Sequence, residues 1–184
     1  GHWHYTRSQY HLFNLDFDRC ISQGSRAFEL FRDADSKDDL VDVSLLLARA
    51  FIEKGDRKSA ERFLDIASRL YPSVNCDYLS PMLMLVKGMF ANQAGDARAV
   101  SVLERSIELA EYSQASETLW MSCRELGRYY LSIGDLNGAA RYYRKATEAL
   151  KRMYSSISSG DLQESFIQVP LRRRVFEEIK RMSS

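Results

Sequence analysis

The sequence is poor in cysteine and in proline, with 3 of each among 184 residues. The cysteines are Cys20, Cys76 and Cys123, and no two of them form a Cys-x-x-Cys pair. An odd number of cysteines at such long spacings argues against a disulfide framework and against a zinc site built from cysteines. The sequence therefore favours a reducing compartment, and we predict a cytoplasmic protein.

The chain also lacks an excess of charge of either sign, and it lacks long apolar runs. The 26 Lys and Arg residues are balanced by 25 Asp and Glu residues, so no overall field would attract nucleic acid or an acidic membrane surface. No apolar run approaches the ~18 residues that a membrane span requires, and no signal-peptide pattern opens the chain. We predict neither a membrane partner nor a nucleic-acid partner. We interpret Gly1-His2 as the remnant of a cloning tag and Trp3 as the start of a piece of a longer protein.

Residue patterns for catalysis and metal binding are also absent from the sequence. There is no phosphate-binding loop, no Gly-x-Ser-x-Gly motif and no His-Glu-x-x-His motif. The best metal-binding candidate combines His4, His11 and Cys20, but their spacing is irregular and a fourth ligand is missing. We therefore predict no catalytic residues, no metal site and no cofactor, and we expect a protein that is not an enzyme.

The sequence does contain a repeated turn. Gly-Asp pairs occur at residues 55–56, 95–96 and 134–135, which are 40 and 39 residues apart. Glycine adopts the left-handed conformation that ends a helix, and aspartate caps the start of the next helix. A turn that recurs at a fixed period indicates stacked helix-turn-helix units. A further, degenerate unit places Leu15-Asp16 at the turn. Because leucine takes a left-handed conformation only at a cost, we expect this turn either to be built differently or to lie out of register.

Small and apolar residues recur in register with these turns. One precedes each glycine by seven positions, and others follow it by five and by twelve positions. Positions seven apart share one face of a helix, and a glycine there costs up to ~1 kcal/mol relative to alanine. The recurrence of a small residue at this position in each unit therefore predicts that helices cross closely there. The three sets are Ala48, Gly88 and Gly127, then Ala60, Val100 and Ala139, then Ala67, Ile107 and Ala146.

This pattern of a small residue, a Gly-Asp turn and paired alanines resembles the tetratricopeptide repeat, and Pro72 falls where that motif ends in proline. The resemblance covers about residues 5 to 153. The long period is similar to that of the C-terminal sensor arrays of bacterial multidomain ATPases, kinases and transcription regulators. HEAT and armadillo repeats, with periods of ~40 to 47 residues, fit the spacing but do not explain the Gly-Asp pairs.

The resemblance implies an all-α, right-handed superhelix of about four helix-turn-helix repeats with a C-terminal capping helix. We expect the repeat array over residues 1–154, a flexible linker over 155–160 and capping helices over 161–184. The last helix carries a predicted apolar stripe that would cover the end of the array, formed by Leu171, Val175, Phe176 and Ile179. Helices of the array are predicted at about 4–14, 17–33, 38–54, 57–71, 81–94, 97–113, 117–133 and 136–155.

In tetratricopeptide arrays the first helix of each unit lines a concave groove, where a peptide, a partner helix or a small effector binds. Carried over by position, the groove residues are Leu45, Arg49, Met82, Leu85, Met89, Asn92, Met121, Arg124 and Arg128, with Tyr5, Gln9, Leu12, Phe13, Asp42, Ile52, Glu53, Gln93, Leu131 and Ser132 completing the wall.

Three arginines of this set suggest the chemistry of the partner. Arg124 and Arg128 are four residues apart and share a helix face, and Arg49 takes the repeat position of Arg128 two units earlier. We predict a protein or peptide partner with an acidic group beside an apolar stretch. The alternative is that Glu53 or Glu125 pairs with these arginines within the chain.

The expected function is that of a non-catalytic protein-interaction and regulatory module within a larger bacterial signalling protein. The helix over 81–94 is apolar on nearly every side, which fits either a buried core helix or a surface for a partner. Self-association through this apolar unit or an array end, forming a homodimer that brings attached domains together, is the alternative function.

Overall fold

The computed structural model describes residues 1–74 and 76–182, the last of these by its backbone alone. Within these ranges the chain forms ten α-helices, one short 3-10 turn and no strand. The all-α prediction is confirmed. The helices are α1 (His2–Phe13), α2 (Phe17–Asp33), α3 (Lys37–Lys54), α4 (Arg57–Leu70), α5 (Leu79–Gln93), α6 (Arg98–Tyr112), α7 (Ser116–Ser132), α8 (Leu136–Ser155), α9 (Gly160–Gln168) and α10 (Pro170–Met182), with the 3-10 turn at Tyr71–Ser73.

The first eight helices pack as consecutive pairs, α1 with α2, α3 with α4, α5 with α6 and α7 with α8. Neighbouring odd-numbered helices also contact one another, which places α1, α3, α5 and α7 along one common side. We call this side the odd-helix face. The buried core runs from α2 through α8 to α10 as one cluster of apolar side chains, so burial of apolar surface holds the pairs together.

Each Gly-Asp pair forms the turn inside a helix pair, as the sequence predicts. The three glycines, Gly55, Gly95 and Gly134, have φ angles of 78°, 67° and 80°. The side chain of Asp56 accepts a hydrogen bond from the backbone N–H of Ser59 at 3.1 Å. Asp135 accepts one from Gly138 at 2.9 Å. Local backbone chemistry therefore sets where each of these helix pairs bends.

The turn at Leu15-Asp16 has the same build, so the expectation of a different turn or a shifted register was wrong. Leu15 has a φ of 62°, and the N–H of Asp16 donates to the carbonyl oxygen of His11 at 2.9 Å. The Asp16 side chain caps α2 by accepting from the N–H of Arg19 at 3.2 Å. Left-handed backbone costs a leucine roughly 1–2 kcal/mol. Leu15 is partly buried against the core, and this packing opposes that cost.

Gln114, in the connection between α6 and α7, has a φ of 56° and an exposed side chain. Replacing it with glycine should raise the free energy of unfolding by about 1 kcal/mol. The left-handed conformation costs a non-glycine residue ~1–2 kcal/mol, and the larger unfolded-state entropy of glycine cancels part of that gain. Urea titration measures the change. Ser113→Gly, one residue earlier at a φ of −85°, should give no gain, and an equal gain from both variants would contradict the assignment of strain to Gln114.

Gly88 and Gly127, each seven positions before a turn glycine, lie where two helices cross closely. A Cβ atom added to Gly88 would lie 2.4 Å from the Leu103 side chain on α6. One added to Gly127 would lie 2.8 Å from the ring of Tyr143 on α8. Real Cβ contacts are longer than this, so the helices of these pairs approach each other as closely as they do because the side chain is missing.

The tail differs in detail from its expected boundaries. Ser155 is still part of α8 and Gly160 already begins α9, so residues 156–159 connect the two helices. α10 packs against both α8 and α1. Leu171 and Val175 are fully buried, but Phe176, placed on the apolar stripe by the sequence, is 44% exposed. The capping role of the tail stays a prediction, and its contacts extend beyond α8 to α1.

Candidate functional site

The predicted groove residues lie on α3, α5 and α7 and face a largely buried region. Six of them are buried, namely Leu45, Arg49, Leu85, Met89, Met121 and Arg124. Met82 and Asn92 are partly exposed, and Arg128 is exposed. The apolar residues of α5 are mostly core, since Leu83, Leu85, Val86 and Met89 are at most 4% exposed.

One reason for this burial is that α10 lies against the odd-helix face. Arg124 on α7 binds the carboxylate of Glu178 with two hydrogen bonds, from Nη2 to Oε1 at 2.5 Å and from Nε to Oε2 at 3.0 Å. Burial by itself would lower the pKa of Arg124, but Glu178 and Glu125 raise it above its ordinary value. A bidentate, charge-assisted pair of this kind fixes both position and orientation.

Two further ion pairs connect α10 to this face. Arg174 reaches Glu53 at the end of α3 at 3.4 Å. Arg172 pairs with Glu117 at the start of α7. Glu117 also accepts a hydrogen bond from Nε1 of the buried Trp120 at 2.6 Å. The helix is therefore held at three points by charged groups, while Leu171 and Val175 bury its apolar side.

Arg128 is neutralised within its own helix. Its Nη1 donates to Glu125 Oε1 at 2.7 Å, and this carboxylate is the main reason that the pKa of Arg128 is raised. Asn92 on α5 donates to Glu125 at 3.3 Å as well. For this arginine the internal pairing with Glu125, left open by the sequence, is the one observed.

A cavity of about 300 Å³ lies between α1, α3, α5 and α7. Its wall is mostly apolar, and each of α1, α3, α5 and α7 contributes to it. Asp42 and Arg49 lie seven residues apart on α3, which separates them by about 10 Å along the helix. The lining residues are Tyr5, Gln9, Leu12, Phe13, Asp42, Leu45, Leu46, Arg49, Tyr78, Leu79, Met82, Ala115, Glu117, Thr118 and Met121.

Arg49 stands out at one end of this cavity. It is 5% exposed, and its Nε has no hydrogen-bond partner among the residues that the structure describes. The ring centre of Phe13 lies 5.8 Å from the guanidinium carbon. Burial lowers the pKa of Arg49, and the carboxylate of Glu53 opposes that shift. An unpaired buried guanidinium is costly, so an anion beside it would be favourable.

The other end of the cavity holds a carboxyl group and two phenols. The hydroxyl of Tyr5 accepts a hydrogen bond from Gln9 Nε2 at 2.8 Å. Burial raises the pKa of Asp42 above its usual range. Burial, followed by the nearby Asp42 carboxyl, raises the pKa of Tyr78 to about 12. This end therefore offers an acidic group that accepts hydrogen bonds, in contrast to the cationic end at Arg49.

The histidine and cysteine candidates of the sequence do not converge. His4 Nδ1 lies 2.8 Å from Gln23 Oε1, whereas His11 lies near Asp16 and Cys20 near Ser8. Across residues 1–74 and 76–182, no group of three His, Cys, Asp or Glu residues is arranged to hold a metal ion. In the same ranges no helix combines the length and the apolar character needed to cross a bilayer.

Sequence reasoning placed nine of the fifteen residues that line the cavity on the groove wall, but it missed their grouping and the other six. Two charged residues, Asp42 and Arg49, occur inside the stretch 40–52, which is apolar apart from them and Ser44, and that pattern was the available signal. Glu117 and Glu178 were not selected, because nothing local in the sequence connects α10 with α7. Comparison with protein-family models and with curated proteins finds no match to this chain. The tetratricopeptide resemblance therefore remains an expectation drawn from the repeat residues.

Proposed function

We propose that the chain is a non-catalytic binding module, a tetratricopeptide-like right-handed superhelix of about four repeats. In this proposal the odd-helix face is its concave groove. The groove binds a partner helix or peptide that carries an acidic group beside an apolar stretch, within a larger signalling protein. The observation that carries the proposal is the docking of α10 on this face.

α10 has the chemistry expected of such a partner. It presents Glu178 to the buried Arg124, and one turn earlier it buries Val175. Contacts three or four residues apart along one helix face are the usual way in which a helix engages a groove. The tail thus supports the idea that this face recognises an amphipathic helix, and it implies that a partner competes with α10.

Competition of this kind has a quantitative consequence. A segment tethered to its own site acts at an effective concentration of about millimolar for a short flexible connection. A partner in solution must overcome that advantage, so binding should strengthen when the tail contact is weakened. If a partner binds on this face, Glu178 is the tail residue whose substitution should strengthen partner binding most. It neutralises Arg124, the most buried arginine that α10 contacts.

The test uses the whole chain and a labelled synthetic peptide with the sequence of residues 170–182. Glu178→Arg in the protein should release α10 by repulsion from Arg124, and the peptide should then bind at least about tenfold more tightly than to the unaltered chain. Fluorescence anisotropy measures both affinities. A peptide of scrambled sequence is the matched control. Equal binding of the two peptides to the Glu178→Arg protein would contradict the proposal.

Self-association remains the alternative function, with less support. The apolar residues of α5 from which that hypothesis began are mostly inside the core. Apolar side chains at the turn between α7 and α8 offer one surface for a second copy, since Ile133 and Leu136 are 60% and 59% exposed. Sedimentation at several concentrations separates the two functions, because a monomer at every concentration would remove self-association.

A further inference from the structure

The cavity between α1, α3, α5 and α7 contains a charged residue, Arg49, that does not pair with the described side chains of the docked helix α10. α10 engages Arg124, Glu53 and Glu117, but none of its described side chains pairs with Arg49. The guanidinium of Arg49 lines an apolar cavity while lacking both an ion-pair and a hydrogen-bond partner among the described residues. A buried charge left without a partner is destabilising, and proteins tolerate it where a ligand completes the site.

We propose that this cavity is the binding site of a small amphiphilic carboxylate. Its carboxylate pairs with Arg49, its apolar body fills the space beside Leu45 and Met82, and a hydrogen-bond donor at its far end meets Asp42. This inference does not rest on the binding of a partner helix, because the cavity is formed by the chain with α10 in place.

The identity of the charged end follows from the guanidinium. Arginine stays protonated even when burial lowers its pKa, and its planar fork matches a carboxylate. Glu53 is four residues away on the same helix, yet it lies beyond ion-pair distance from Arg49 and is engaged by Arg174. Glu53 and Glu117 partly compensate the charge of Arg49 and oppose the lowering of its pKa, but no described residue accepts a hydrogen bond from its Nε, so an exogenous carboxylate would meet that donor.

The size and the far end of the site restrict the ligand further. An apolar cavity of about 150 Å³ accommodates benzene, so one of about 300 Å³ takes a ligand of roughly ten to twelve non-hydrogen atoms. Asp42 lies about 10 Å from Arg49 along α3. Its carboxyl group disfavours a second acid there and favours a hydroxyl or ammonium group that donates to it. Aromatic or branched hydroxy acids of this length fit both ends.

The probe for the test is 3-(4-hydroxyphenyl)propanoate, which has a carboxylate and a phenol at opposite ends. Isothermal titration calorimetry with the unaltered chain should give saturable binding with a dissociation constant of about 10 µM to 1 mM, the range open to so small a ligand. The isosteric amide keeps the shape and loses the charge. It should bind about ten- to a hundredfold more weakly, because it lacks the charged hydrogen bonds to Arg49.

Two variants assign the binding to this cavity. Arg49→Met removes the cation and should weaken binding of the acid to the level of the amide, while leaving the amide itself unchanged. Met82→Trp retains the cation but fills the apolar space, so it should abolish binding of both compounds. Arg144→Met, an exposed residue on α8, is the control and should leave both affinities unchanged. Circular dichroism of each variant confirms that it is folded.

Three results would overturn the proposal. They are the absence of saturable binding of the acid to the unaltered chain, equal binding of acid and amide, or undiminished binding to folded Met82→Trp. If Arg49→Met failed to fold, the comparison of acid with amide and the Met82→Trp variant would still decide the question. Failure of the tail-peptide experiment would leave this result unaffected, because the two experiments use different ligands and different residues.

Discussion

Glu178→Ala is expected to lower the free energy of unfolding by about 2–4 kcal/mol, because breaking a buried ion pair from one side costs ~3–5 kcal/mol. Here the Arg124 side chain is 6% exposed and the Glu178 side chain 20% exposed. The partial exposure of Glu178 shifts the expected loss about 1 kcal/mol below the cost of a fully buried pair. Removal of the carboxylate leaves the guanidinium of Arg124 buried without the two hydrogen bonds that satisfy it. Urea titration followed by circular dichroism measures the loss.

The neighbouring carboxylate provides the control for this experiment. Glu177 is exposed on the same helix, so Glu177→Ala should change stability by no more than about 0.5 kcal/mol. The double variant Arg124→Met with Glu178→Met should recover most of the loss, since an apolar pair of similar volume replaces a buried ion pair at little cost. Equal effects of Glu178→Ala and Glu177→Ala would mean that α10 is not held on the odd-helix face by this pair.

Gly127→Leu is expected to destabilise the protein by about 3 kcal/mol, at the upper end of the usual cost of overpacking. The first added carbon would already lie 2.8 Å from two ring carbons of Tyr143. Tyr143 is 1% exposed, so its ring has little room to move, and α7 and α8 must separate to admit the side chain. Thermal unfolding followed by circular dichroism measures the loss.

Gly160→Leu is the matched control for the crossing. Nothing lies within 4 Å of a Cβ atom placed on Gly160, so the same substitution there should shift stability by no more than about 0.5 kcal/mol. Similar melting shifts for the two variants would contradict the assignment of a close crossing between α7 and α8.

The sequence predicts the helices well because their ends are encoded locally. The eight array helices begin and end within two residues of their predicted bounds, since a left-handed glycine and an aspartate cap act within a few residues of chain. Leu15 is an exception. The steric cost of left-handed backbone for leucine predicted a different turn, which the structure does not show. The turn closes with a hydrogen bond from the N–H of Asp16 to the carbonyl oxygen of His11, and Leu15 packs partly buried against the core, so local preference yields to packing.

The candidate site was only partly predictable for the opposite reason. The arginines were found from their repeat positions, but their partners lie far away in sequence. Glu178 is 54 residues from Arg124, and Glu53 is 121 residues from Arg174. No periodicity relates α10 to the array, so its place on the odd-helix face is set by tertiary packing. Tertiary packing also decides the position of Phe176. The predicted apolar stripe of α10 included this residue as buried, but the structure leaves it partly exposed.

α10 touches both the first helix of the array and the eighth, and this has a consequence for how the molecule comes apart. In a linear array each unit contacts only its neighbours, so the outermost helices fray independently of one another. α10 joins the two ends and removes that freedom. Opening at one end disturbs α10, and this weakens the contacts of α10 with the other end. The array then behaves as a closed cooperative unit, and whatever lifts α10 loosens both ends at once.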